Sequence, residues 1–130
     1  MVRQGVEVWL EEFARAVRER DFDTARGLCS DTVVGFGTVS ARYDGIDELH
    51  ADQWQAVWDR TEGFAFDADS VTVWADGSLA VVIGEWTSVG REGDGSRRPR
   101  RGRATIVLAD ADGTLRAIHT HFSMAPGFSA

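Results

Sequence analysis

A chain of 130 residues, 43% hydrophobic and 27% charged, has the make-up of one ordinary globular domain over residues 1–130; a second domain or a disordered chain does not fit it. Fourteen arginines, no lysine and 21 acids leave a net charge of −7, which repels nucleic acid and anionic membrane surfaces. No run approaches the roughly 18 apolar residues of a membrane span.

Glu7, Glu11 and Glu12 interrupt any apolar leader, so a cytoplasmic protein with neither nucleic acid nor membrane as partner is expected. The single cysteine, Cys29, allows no internal disulfide and is read as a packed thiol. Charge is uneven, because the stretch 91–103 holds six arginines against two acids. Such a stretch is commonly a solvated hairpin tip; the alternative is a grip on an anionic partner.

Val6, Trp9, Leu10, Phe13, Ala14 and Val17 form the stripe of an amphipathic helix. Asp21 or Asp23 can cap a short second helix carrying Phe22, Ala25 and Leu28. Residues 32–39 read as a strand bent at Gly35 and Gly37. Asp44 is expected to cap a third helix whose Trp54 and Trp58, four apart, share a face. After Gly63 the period becomes two: 64–69 leads into a strand at 70–74, followed by strands at 79–89, 103–109 and 115–123. Asp76-Gly77 and Asp112-Gly113 are turns, and the arginine-rich tip reads as flexible. Helices followed by an antiparallel meander make an α+β architecture.

A two-residue tip at Asp112-Gly113 pairs Arg103 with Phe122, Thr105 with Thr120 and Val107 with Ile118. A tip centred on Asp94 sets Glu85 beside Arg103. One face then carries Val81, Ile83, Glu85, Arg103, Thr105, Thr120 and Phe122, and the other Val82, Trp86, Ala104, Ile106, His119 and His121. Both faces are largely apolar and helices cover only one, so a homodimer through the outer sheet face is expected.

Arg103-Ala104-Thr105, Asp112-Gly113, and Ile118-His119-Thr120-His121-Phe122-Ser123 with Pro126 resemble the ending of SnoaL-like proteins and of the calmodulin-kinase II association domain. Gly35-Phe36-Gly37-Thr38 and Tyr43-x-Gly45 are similar to SnoaL-like relatives as well. Nearly the whole chain resembles the nuclear transport factor 2-like superfamily, which includes ketosteroid isomerase. The resemblance implies a cone: three N-terminal helices packed on a strongly curved, mainly antiparallel sheet. Carrying over the isomerase roles puts its base at Gly35, its tyrosine at Phe13 and its protonated acid at Thr105, and none of these keeps the chemistry. Steroid isomerisation by that route is not expected.

Glu85 and Arg103 are the first candidates for catalysis, as acid/base and anion stabiliser, if they meet inside the cone. A structural ion pair is the plainer alternative. His119 and His121 are the second choice, placed by register on the outer face; a reversed hairpin parity would bring them into the cone. Their HxH spacing suits two metal ligands, but no third follows, so no metal and no cofactor is expected. Phe13, Phe36, Trp54, Trp58, Thr105, Thr120 and Phe122 are the expected ligand-binding residues. The function that follows is binding of a small hydrophobic oxygenated metabolite, with cofactor-independent isomerase, lyase or cyclase chemistry left open. The alternative is a non-catalytic association domain.

Overall fold

The computed structural model describes residues 2–130. Helix α1 (Val2–Glu19) leads into the short α2 (Phe22–Gly27), then β1 (Cys29–Phe36) and β2 (Tyr43–Asp44). A helical run, 46–60, forms α3; its middle, Leu49–Trp54, is wound as a π-helix. Strands β3 (Thr61–Phe66), β4 (Thr72–Asp76), β5 (Leu79–Arg91), β6 (Arg97–Ala111) and β7 (Thr114–Met124) complete the chain. The sheet order is β2-β1-β7-β6-β5-β3, with β4 also on β5. β1 runs parallel to β7 and every other pairing is antiparallel.

The stripe on α1 lies in the core as expected, with Val6, Trp9, Leu10, Phe13, Ala14 and Val17 all buried. Each large apolar side chain so placed contributes about 1.5–3 kcal/mol. The Trp9 indole N–H donates to the Leu28 carbonyl at 2.9 Å, tying α1 to the entry of β1. Asp21, not Asp23, caps α2, accepting from the Thr24 N–H at 3.1 Å and its hydroxyl at 2.6 Å. Asp44 does not cap α3. Gly45, at φ +91°, occupies that position, while the Asp44 carboxylate pairs with Arg42. The period-two segment leading up to Trp74 divides at Asp67, whose carboxylate accepts from the Asp69 N–H. Its two halves, β3 and β4, share one edge of β5.

The arginine-rich stretch is mostly strand, since β5 extends to Arg91 and β6 begins at Arg97. Glu85 stands opposite Arg103, as the sequence predicts. The β6–β7 hairpin also starts as expected. Asp112 and Gly113, both at positive φ, close a turn that pairs Ala111 with Thr114 and Leu108 with Ala117. Past Leu108 the ladder slips by one residue at Ile118, so Val107 meets His119, Ile106 meets Thr120 and Ala104 meets Phe122. The expected pairs Arg103–Phe122 and Thr105–Thr120 are therefore not formed.

This bulge decides which side chains share a face. Thr120 and Phe122 fall in with Ala104 and Ile106 beneath the helices, together with Ala80, Val82, Gly84 and Trp86. The Trp86 ring lies over Gly102, where an added Cβ would overlap the indole and the Ser123 carbonyl. Gly102→Ala should lower stability by about 1–3 kcal/mol, read as a drop in urea midpoint. Burial also pushes the Cys29 thiol up to about 12. The unfolded thiol ionises near pH 9. Its contribution to stability is therefore complete below that pH and is lost as pH rises through 12. Between these limits the parent should lose stability about 1.4 kcal/mol per pH unit faster than Cys29→Ala, measured by urea unfolding at successive pH values.

Candidate functional site

Phe13 is the centre of an aromatic cluster inside the curve of the sheet. It stacks on Trp9 at 5.2 Å and on Phe122 at 5.8 Å between ring centroids. Trp58 and Trp54 meet its edge at 5.9 and 6.1 Å. These two indoles stack on each other at 4.9 Å, so the shared face read from their spacing is the observed one. A cavity of about 60 Å³ opens beside this cluster, walled by α1, α3 and the inner face of the sheet.

Polar groups reach the cavity from two directions. From α3 comes Gln53, which lies inward beside Trp54 within the π-helical stretch. Its amide is held at both ends: the Tyr43 hydroxyl donates to Oε1 at 2.7 Å, and Nε2 donates to the Thr38 hydroxyl at 3.1 Å. A side chain at Gly37 would collide with this amide, so the glycine is required for the close approach. Burial raises the Tyr43 phenol above its ordinary pKa, keeping it a donor.

From the sheet come Thr61, Ser88, Thr120 and Arg100, all buried. Arg100 extends from β6 across Gly90 of β5 and donates to the Thr61 hydroxyl; Thr61 in turn donates to the Val57 carbonyl at 2.7 Å. Among the described residues no carboxylate lies within 4 Å of Arg100, and its Nε has no partner. Burial, then the nearby Arg60 and Arg98, lower its pKa, though a guanidinium remains charged at any ordinary pH. The wall thus offers an aromatic surface, hydroxyls, an amide and one buried cation.

A model of the SnoaL-like domain matches residues 6–126. The chain belongs to the SnoaL-like domain family. No curated protein matches it. Among solved structures, a nuclear transport factor 2-like superfamily protein from Salmonella enterica superposes with a TM-score of 0.81 at 16% identity, over 99% of this chain and 92% of that one. A ketosteroid isomerase-like protein from Erwinia carotovora superposes at 0.79 and 18% identity, over 92% of this chain and 94% of that one. A protein from Xanthomonas campestris, provisionally assigned as a calcium/calmodulin-dependent protein kinase II association domain, gives 0.81 at 19% identity, over 94% and 86%. The fold is thereby nuclear transport factor 2-like, α+β, with an unclosed, mainly antiparallel sheet.

In this SnoaL-like domain Phe13, Phe36, Trp54, Trp58, Thr120 and Phe122 line the cavity, as the sequence suggests. Thr105 does not; it is half-buried on the outer face, opposite His121. Glu85 and Arg103 are cross-strand neighbours, but both are exposed on the outer face rather than inside the cone. The β5–β6 register was legible, whereas the face it presents inward is the other one. His119 and His121 also lie outside, but opposite Val107 and Thr105 rather than on the face of Ala104 and Ile106 where the expected register grouped them, because of the bulge at Ile118. The His119 Nδ1–H donates to the Val34 carbonyl at 2.6 Å, and the edge of Phe36 meets both imidazoles. Gly35 is buried against Leu49 and Thr120, with no space for a carboxylate side chain. His50 stacks half-buried on Phe22 and contacts Arg26. Among the described residues no group of three or more His, Cys, Asp or Glu side chains is arranged to hold a metal. No helix there is long and apolar enough to cross a membrane.

Sequence reasoning missed Arg100, Ser88, Thr61 and Gln53. One signal was available for the first two: Arg100 and Ser88 continue the same alternation as Ala104-Ile106-Leu108 and Trp86-Gly84-Val82, the more completely apolar face of β5 and β6. Gln53 had one as well: it continues the i, i+3, i+4 spacing of Ile46, Leu49 and Val57, a stripe in which a polar residue is easily passed over. Tyr43→Phe should cost about 1–2 kcal/mol by leaving the buried Gln53 oxygen without its donor. In a double-mutant cycle with Gln53→Leu, urea unfolding should show coupling of about 0.5 kcal/mol or more.

Proposed function

We propose that this SnoaL-like domain binds a small hydrophobic, oxygenated metabolite in its cone. The observation that carries the reading is the cavity wall: stacked indoles and Phe122 interrupted by a few fixed hydrogen-bonding groups, Gln53, Thr61, Ser88 and Arg100. Aromatic walls supply affinity for an apolar body, and sparse polar groups orient its oxygens. Among the described residues no Asp, Glu or His stands in that wall, which favours binding over proton transfer as the first activity to test. A single-ring phenol such as 4-methylphenol should quench the emission of Trp54 and Trp58. Val57→Phe, which fills the cavity from α3, should weaken that binding at least tenfold with an unchanged circular dichroism spectrum. Unaltered affinity in Val57→Phe would place the binding elsewhere and overturn the reading.

We further propose that a second copy of the chain covers the outer sheet face. Ile83 and Ile118 are 46% and 38% exposed there, beside half-buried Val81 and Val107 on adjoining strands. A two-fold pairing brings the same apolar patch of each copy together, so one charge introduced into the patch acts twice. The parent should sediment as a dimer at micromolar concentration and Ile83→Glu as a monomer; a monomeric parent would refute the interface. The association reading of this fold rests on the same face.

A further inference from the structure

The arginines of the β5–β6 hairpin are not treated alike by the fold. Glu62 pairs with Arg91 at 3.3 Å and with Arg97 at 3.0 Å, and Glu92 pairs with Arg98 at 3.1 Å. These are surface pairs at the hairpin's end. Arg100, two residues further along β6, is only 5% exposed and has no carboxylate within 4 Å among the described residues. Its hydrogen bond goes to the neutral Thr61 hydroxyl, and its Nε is left without a partner. A buried charge in this condition is costly, and among the described residues no carboxylate contacts it to offset that cost.

The surroundings accommodate the guanidinium without neutralising it. Gly90 leaves the space in which it lies: a Cβ there would stand 3.0 Å from Nε and 3.2 Å from Cζ. Ser88, directly cross-strand from Arg100, adds a hydroxyl to the same part of the cavity wall. The charges that bear on Arg100 are Arg60 and Arg98 of like sign and Glu92 of opposite sign, the last already held by Arg98. The local field is positive although the whole chain carries −7.

We infer that Arg100 is the anion-recognition residue of the cone and that the occupant is a small carboxylate, its head on the guanidinium and its apolar body against the indoles. This rests on the proposed binding role of the cavity and adds the charge class of the ligand. A carboxylate matches one planar guanidinium in charge and geometry, and a flanking hydroxyl can serve its second oxygen. A dianion would meet one buried cation in a wall that is otherwise aromatic and neutral. Recognition of this kind depends on water being excluded, which the aromatic wall provides.

The test uses the full chain at constant ionic strength, with benzoate, its neutral near-isostere benzamide, and 4-methylphenol, read by tryptophan emission and thermal melting. Benzoate should bind at least tenfold more tightly than benzamide. Arg100→Gln should abolish that preference, and Arg100→Lys should keep part of it. Without ligand, Arg100→Gln should melt no lower than the parent, because it removes an uncompensated buried charge, and benzoate should no longer raise its melting temperature. If 4-methylphenol and benzamide bind but benzoate binds no better, or if the preference survives in Arg100→Gln, the inference is overturned while the cavity remains a binding site. If none of the three binds the parent, the cavity reading falls and this inference with it. An Arg100→Gln chain that melts well below the parent would make the guanidinium a structural group and overturn the inference as well.

Discussion

The seating of Phe13 of α1 in the concave side of the sheet is the contact on which the other features depend. Its ring lies within 6.4 Å of Trp9, Trp54, Trp58, Phe64, Phe66 and Phe122, which belong to α1, α3, β3 and β7. One side chain therefore joins the first helix, the last strand and the segment between them. Rings meeting edge-on cannot close all the space between them, and the cavity is what this packing leaves beside α3. The apolar wall and the core are thus the same cluster seen from two sides, and a change that relaxes one deforms the other.

Onto that apolar frame the fold adds polarity by irregularity. Gln53 lies inward in the π-helical stretch of α3, Gly37 makes room for it, and Tyr43 and Thr38 satisfy its amide. Gly90 does the corresponding service for Arg100 on the sheet. The two cases differ in their balance. Gln53 is satisfied from within the chain and is at rest, whereas Arg100 is a cation held in a buried place with a single neutral partner. Desolvating an unpaired charge weakens a fold, and sites that keep such a charge are commonly sites where a ligand completes it.

The outer face has the opposite character. Glu85, Arg103 and His121 are wet, while Ile83 and Ile118 interrupt them with apolar surface. Charges lying there are solvated and carry little energy, so the cross-strand meeting of Glu85 and Arg103 is a pairing on the surface rather than a device inside the cone. The inner and outer faces of one long hairpin therefore differ in character: the inner one builds the cavity, and the outer one carries solvated charges with exposed apolar residues among them.

Much of this was legible in the chain itself. The α1 stripe, the shared face of Trp54 and Trp58, the Asp112-Gly113 turn, the β5–β6 register and the SnoaL-like ending are local signals, spaced by periods of 3.6 and 2, and the structure contains them all. They sufficed for the α+β cone and for most of its aromatic lining. What local periodicity cannot encode is a change of phase. A one-residue bulge at Ile118 gave β7 a new partner for every residue beyond it, moving Thr120 and Phe122 onto the face of Ala104, and the π-helical stretch is another change of phase, within α3. Each alters parity without altering composition, because what selects it is the fit of the strand or helix against neighbours distant in sequence. The sequence alone determined most of the helix and strand segments, though not the strand content of the arginine-rich stretch, and which of their residues are apolar. Only the tertiary structure decided which side of the sheet faces the helices, and so why the guanidinium in the cone belongs to Arg100 and not to Arg103.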